Sequence, residues 1–199
     1  MEDDEDRSQR IYLAAFTTNE RTQNPVDIIS NYLNHNPHFI IKKNKQLIAF
    51  SVVLDNKKPT KIMLCSLNDL NMEYDGINDA NCYIIVIDLQ KETSKEKYFE
   101  IIAYIQKYCD LSKKIYLLGV KKEEEDNKVK ITEEEIENRI KDMNVEYEYL
   151  ELNIDDSIGV SDKIAEIFKY CFENANTDLG KIESEGRSCS IYWLKMDIK

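Results

Sequence analysis

Apolar residues fall into short continuous runs that alternate with segments of helical spacing. RIYLAAF (10–16) predicts a buried strand. Pro25 then suits the first turn of a helix, where its missing N–H costs nothing, and PVDIISNYL places Val26, Ile29 and Leu33 on one face. NHNPHF reads as a polar loop. QLIAFSVVL and KIMLCSL flank the polar DNKKPT and predict an antiparallel hairpin. From there the pattern is strand and helix in turn. YIIVIDL (83–89) is a strand, and SKEKYFEIIAYIQKYC (94–109) a helix with Tyr98, Phe99, Ile102, Ile105 and Cys109 as its apolar stripe. KIYLLGV (114–120) is a strand. ITEEEIENRIKDM (131–143) is a helix with Thr132 and Glu135 in a capping-box pattern. EYEYLEL (146–152) and IGVSDKIAEIFKYCFE (158–173) are the last strand and helix. Repeated crossovers of this length require right-handed connections, so the fold class is α/β: a three-layer sandwich with a mixed, mostly parallel sheet.

The 199 residues suit one domain, and 42% hydrophobic residues supply a core for it. Residues 1–9 read as a disordered acidic tail, 10–175 as the domain and 176–199 as a C-terminal extension. The formal charge of −11 argues against nucleic acid or an anionic membrane as partner, since both repel it. No apolar run approaches the roughly 20 residues that span a bilayer. MEDDEDR is too acidic for a leader, and WLKMDIK lacks the cysteine a prenyl anchor needs. Five cysteines without a C-x-x-C pair, most of them inside apolar runs, read as buried reduced thiols of a cytoplasmic protein.

Candidate chemistry is sparse. Asp88, with Lys121 downstream, invites a phosphoacceptor reading, but the first strand ends in Phe-Thr-Thr rather than the acidic pair that would hold magnesium. The acid more simply opens the following loop. His35 and His38 lack a third ligand nearby, and the acidic runs 123–126 and 133–135 lack calcium-loop spacing. No catalytic triad, metal site or cofactor is expected. Tyr192 and Trp193 suit either an interface or a sheet edge.

Two stretches, ANCYIIVIDLQKETSKEKYFEIIAYI and YLELNIDDSIGVSDKIAEIFKY, with KIYLLGVKKEEED between them, resemble the central and last strand–helix units of the Ras/Rab small GTPases. The resemblance spans roughly residues 10–173 and implies a P-loop NTPase fold. It also shows which nucleotide positions have changed. AFTTNERT (15–22) has the length of the phosphate loop G-x-x-x-x-G-K-[ST] but no glycine. Its two glycine positions are Ala15 and Glu20, Arg21 replaces the lysine, and Thr22 keeps the magnesium-ligand hydroxyl. A carboxylate ~4 Å from a phosphate costs roughly 4 kcal/mol at an effective dielectric of about 20. The D-x-x-G position offers Asn68, Asp69, Leu70 and Asn71, and no glycine arrives before Gly76. N-K-x-D falls on Val120, Lys121, Lys122 and Glu123, and S-A-K on Asn153, Ile154 and Asp155.

Four nucleotide elements degraded together predict a pseudo-GTPase, with Arg21, Thr22, Lys121 and Glu123 as vestigial positions and no bound cofactor. The expected function is non-catalytic: a protein-interaction or scaffold module in vesicle trafficking or in a large assembly. A divergent but active GTP-binding protein and a ciliary or cytoskeletal subunit are the alternatives. IYLAAFTTNERTQNPVDIISNYL and YEYLELNIDDSIGVSDKIAEIF also resemble the alpha- and gamma-adaptin-binding proteins, whose long helical extension is absent here. Clathrin-adaptor and ciliary-complex subunits are therefore the candidate partners, with cytoplasmic, cytoskeletal or ciliary localisation.

Overall fold

A computed structural model describes residues 10–19, 24–36, 38–43, 46–53, 60–67, 69–70, 74, 76–122 and 129–185, with side chains as far as 174. The expected acidic tail 1–9 and the residues Tyr192 and Trp193 lie outside them.

Seven strands form one sheet: β1 (Arg10–Thr17), β2 (His38–Lys43), β3 (Leu47–Val52), β4 (Thr60–Ser66), β5 (Cys82–Asp88), β6 (Ile115–Lys121) and β7 (Tyr147–Asn153). Their spatial order is β2-β3-β4-β1-β5-β6-β7. From β4 to β7 every pairing is parallel, whereas β3 is antiparallel to both its neighbours. Helices α1 (Pro25–Leu33) and α4 (Ser157–Glu185) cover one face, and α2 (Ser94–Tyr108) and α3 (Glu133–Lys141) the other. This is the mixed three-layer α/β sandwich, and each face has its own apolar core.

The continuous runs are strands because both of their faces are buried. Every residue of β5 is buried, as is β6 from Ile115 to Val120. α1 starts as its composition demands: Asn24 accepts a hydrogen bond from the Val26 N–H at 2.8 Å, and Pro25 occupies the first turn. The capping box of α3 is present in full, with Thr132 Oγ1 accepting from Glu135 N and Glu135 Oε2 from Thr132 N. Among the described cysteines, Cys65, Cys82 and Cys171 are buried, Cys109 is half-buried, and all four are free thiols. Burial pushes Cys65 up to about 12, so it stays protonated and unreactive at neutral pH.

Three expectations need correction. His38 does not sit in a polar loop; it opens β2, an edge strand that periodicity missed. HFIIKK has no alternating pattern because none of the described residues buries either of its faces and because the register shifts between Ile40 and Lys42. Phe99 is not part of the core stripe of α2. It is 37% exposed under the Arg139 guanidinium at 5.3 Å, while Ile101 and Tyr104 join Tyr98, Ile102 and Ile105 in the core. The last helix does not stop at 173; it runs on to Glu185, through position 175.

Candidate functional site

In an open parallel sheet, ligands bind where the carboxyl ends of the strands meet. Here that rim is formed by the ends of β1, β5, β6 and β7, and it divides into two parts.

The first part lies between β1 and β5. β1 does not end at Ala15, the expected first glycine position. Ala15 is fully buried and paired with Ser66 and Ile84, and the strand continues to Thr17 opposite Val86. The chain is then tied down by side chains. Asn19 Nδ2 donates to Asp88 Oδ2 at 2.8 Å, and Asn19 N donates to Thr17 Oγ1 at 3.1 Å. Thr18 N donates to Val86 O at 2.9 Å. Thr18 Oγ1 accepts from Asp88 N at 2.9 Å and donates to Ser94 Oγ at 3.0 Å, at the start of α2. Asp88 Oδ1 accepts from Gln90 N, opening the next loop as a strand-end acid does. Asn19, Asp88 and Ser94 are buried. Their polar atoms meet the requirement that buried hydrogen-bonding groups find partners inside the protein. Glu20, Arg21 and Thr22 lie outside the described residues.

The second part is a cavity of about 780 Å³ between the ends of β6 and β7 and the start of α4. Val120, at the expected asparagine position of the base-recognition motif, is 1% exposed and packs into the core under α4. Its side chain has no hydrogen bond to offer. Lys121 lines the cavity but is held by Glu151 at 2.5 Å. Gln90 clasps the Lys122 backbone twice, its Oε1 accepting from N at 2.8 Å and its Nε2 donating to O at 3.0 Å. Asp156 Oδ1 accepts from Gly159 N at 3.0 Å and so caps α4. Asp155, at the expected lysine position of S-A-K, donates its N–H to Asn153 Oδ1. Glu123 lies outside the described residues.

A sequence model of the Ras family matches residues 70–173. The chain belongs to the Ras family. The matched stretch runs from beyond β4 into α4 and includes the whole of the second part of the rim. No curated protein matches the chain. Ras-family proteins usually hydrolyse GTP. Of the four positions expected to be vestigial, Lys121 is the one described, and it is engaged with Glu151.

Asp69 lies at the expected D-x-x-G position. It is exposed, and its N–H donates to the Tyr74 hydroxyl at 3.1 Å. Gly76 adopts φ 77° at the entrance to a 3-10 turn, Ile77–Asp79, so a turn accounts for it. His35 is exposed, and His38 Nδ1 lies 2.9 Å from Asn36 O. Among the described residues no cluster of three His, Cys, Asp or Glu is placed to hold a metal ion. No described helix is long and apolar enough to cross a membrane. Sequence reasoning passed over Asn19, Gln90 and Ser94. The one local signal was a serine in the first turn of an amphipathic helix, on the side that proves buried.

Proposed function

We propose that this Ras-family chain is a pseudo-GTPase: it does not use nucleotide, and it serves as a constitutive protein-interaction module. The observation that carries the reading is the Asn19–Asp88 hydrogen bond and the Thr17, Thr18 and Ser94 contacts around it. A phosphate loop works by presenting backbone N–H groups to an anion. Here the N–H groups at the opening of that loop are already used, Thr18 N on Val86 O and Asn19 N on Thr17 Oγ1, and the buried acceptor facing it is itself a carboxylate. At the base end, Val120 and Asp155 remove the amide and the cation that would hold a guanine. Without a γ-phosphate and magnesium to order a switch, binding to a partner is independent of nucleotide.

The partner is a protein, with clathrin-adaptor or ciliary-complex subunits as the candidates, and the setting is vesicle trafficking or a large assembly. One feature favours the rival reading of a divergent GTP-binding protein: the cavity beside Lys121 is large enough for a base. Equilibrium binding of mant-GTP and mant-ATP, with and without magnesium, separates the two. The expected result is no saturable signal up to about 100 μM nucleotide. Magnesium-dependent binding at micromolar concentration or tighter would overturn the pseudo-GTPase reading.

A further inference from the structure

Two buried thiols face each other at the end of the sheet away from the rim. Cys82 opens β5 and Cys171 sits on α4, 89 residues later in the chain, and their Sγ atoms are 3.3 Å apart. Both are fully buried in the core that α1 and α4 cover. The sulfurs of a disulfide are about 2.05 Å apart, so the pair stands about 1.3 Å short of that bond. Cys65 and Cys109 belong to the core on the opposite face. Cys171 is the last buried residue of α4 among those described. Tyr170 and Phe172 beside it are half-buried, and Glu173 is exposed. The Tyr170 ring meets that of Tyr116 at 5.8 Å, and the Lys114 ammonium lies 4.5 Å and 5.0 Å from their respective centres. Burial and then the Cys171 thiol push Cys82 up, with Lys114 working against them, so Cys82 is protonated and quiet while α4 is seated.

We propose that Cys82 and Cys171 form a redox latch: a small hydroperoxide converts them to a disulfide that pins α4 to β5, and a dithiol reductant releases it. Cys171 reacts first, because a local opening of the α4 turn at Tyr170–Phe172 uncovers it without unfolding the sheet. Its thiol gives up a proton, and the sulfur attacks one peroxide oxygen. The O–O bond breaks, the departing oxygen takes up a proton and leaves as water or alcohol, and Cys171 becomes a sulfenic acid. When the turn closes, the Cys82 sulfur attacks the Cys171 sulfur. The S–O bond breaks, and the hydroxyl leaves as water with the Cys82 proton. The two sulfurs together lose two electrons, and one peroxide is reduced. A dithiol reverses the bond by exchange and carries away the disulfide. The tie reaches beyond the two residues, because α4 also holds α1. Tyr32 meets Phe168 edge to face at 4.9 Å, and Asn36 Nδ2 donates to Ser161 Oγ at 3.2 Å. Oxidation therefore fixes the whole helical layer on that face.

Treating the full-length chain with hydrogen peroxide at neutral pH tests it, with the remaining thiols then blocked by N-ethylmaleimide in denaturant. The chain should lose two of its five free thiols, and a peptide cross-linked between Cys82 and Cys171 should appear in the mass map. The circular-dichroism spectrum should not change. The melting temperature should rise by about 5–15 °C, because the bond closes a loop of 89 residues, and dithiothreitol should reverse both the cross-link and the rise. Cys171→Ala should abolish the cross-link and the rise; if that variant does not fold, the mass map of the native chain decides alone. Oxidation of Cys65, Cys109 or Cys189 with Cys82 and Cys171 left as thiols would overturn the proposal. So would a cross-link that forms only in denaturant, an oxidation that ends at a sulfinic acid on Cys171, or a cross-linked chain that melts no higher than the thiol form.

Discussion

Asn19 donates its side-chain amide to the carboxylate of Asp88 at 2.8 Å, joining the ends of β1 and β5 across 69 residues of chain. Both side chains are more than nine-tenths buried, so the bond forms away from water, where an unpaired amide or carboxylate is costly.

Asp88→Ala should therefore destabilise the fold by about 2 kcal/mol, since it removes one buried carboxylate that accepts from both the Asn19 amide and the Gln90 N–H. Urea unfolding measures it. Asn19→Ala should cost a similar amount, and the double variant less than the sum of the two. Strict additivity would mean that the pair is not a unit.

Thr22→Ala speaks to the ligand rather than the fold. If no magnesium–nucleotide complex is held, losing the hydroxyl that would ligate the metal should leave the melting temperature the same in the presence and absence of GTP and magnesium. A nucleotide-dependent rise in the native chain that disappears in the variant would contradict the pseudo-GTPase reading.

Gly119 and Tyr149 meet on neighbouring strands. A Cβ built on Gly119 would lie 2.3 Å from the Tyr149 hydroxyl oxygen and 2.9 Å from the ring, so the ring occupies the space a side chain needs. Gly119→Ala should cost about 1–3 kcal/mol through overpacking. Tyr149→Leu should recover part of it, a coupling that a double-mutant cycle reads directly. The Tyr149 hydroxyl is buried with no hydrogen-bond partner among the described residues, so Tyr149→Phe should leave stability unchanged or raise it slightly.

The capping box gives a helix test and a pH test. Thr132→Ala should cost about 1 kcal/mol. Glu135 is held below its ordinary value of 4.5 by the Lys95 ammonium at 2.8 Å and then by the Thr132 N–H. A carboxyl lowered by folding adds stability above its unfolded value and loses it as pH falls through the folded one. Stability should thus be flat near neutrality and decline below about pH 4.5, and Glu135→Gln should shallow that decline. An identical acid limb in the variant would remove Glu135 from the account.

Local chemistry was readable residue by residue. YIIVIDL and KIYLLGV announce strands because both faces are buried, so hydrophobicity needs no partner to be recognised. Thr132 and Glu135 announce a helix start because the bonds they make lie within one turn. The strand–helix alternation from 83 onward carried the topology, and the changed glycine, asparagine and lysine positions carried the question of nucleotide use. β2 was illegible for the complementary reason. An edge strand that the described residues leave exposed on both faces has no buried period, and the register shift at Ile41 scrambles what pattern remains. Phe99 was misplaced because helical spacing locates a face without saying how far the neighbouring layer extends. The partners Asn19–Asp88 and Gly119–Tyr149 depend on register between strands distant in the chain. That register is set when all seven strands pack at once, and no window of neighbouring residues contains it.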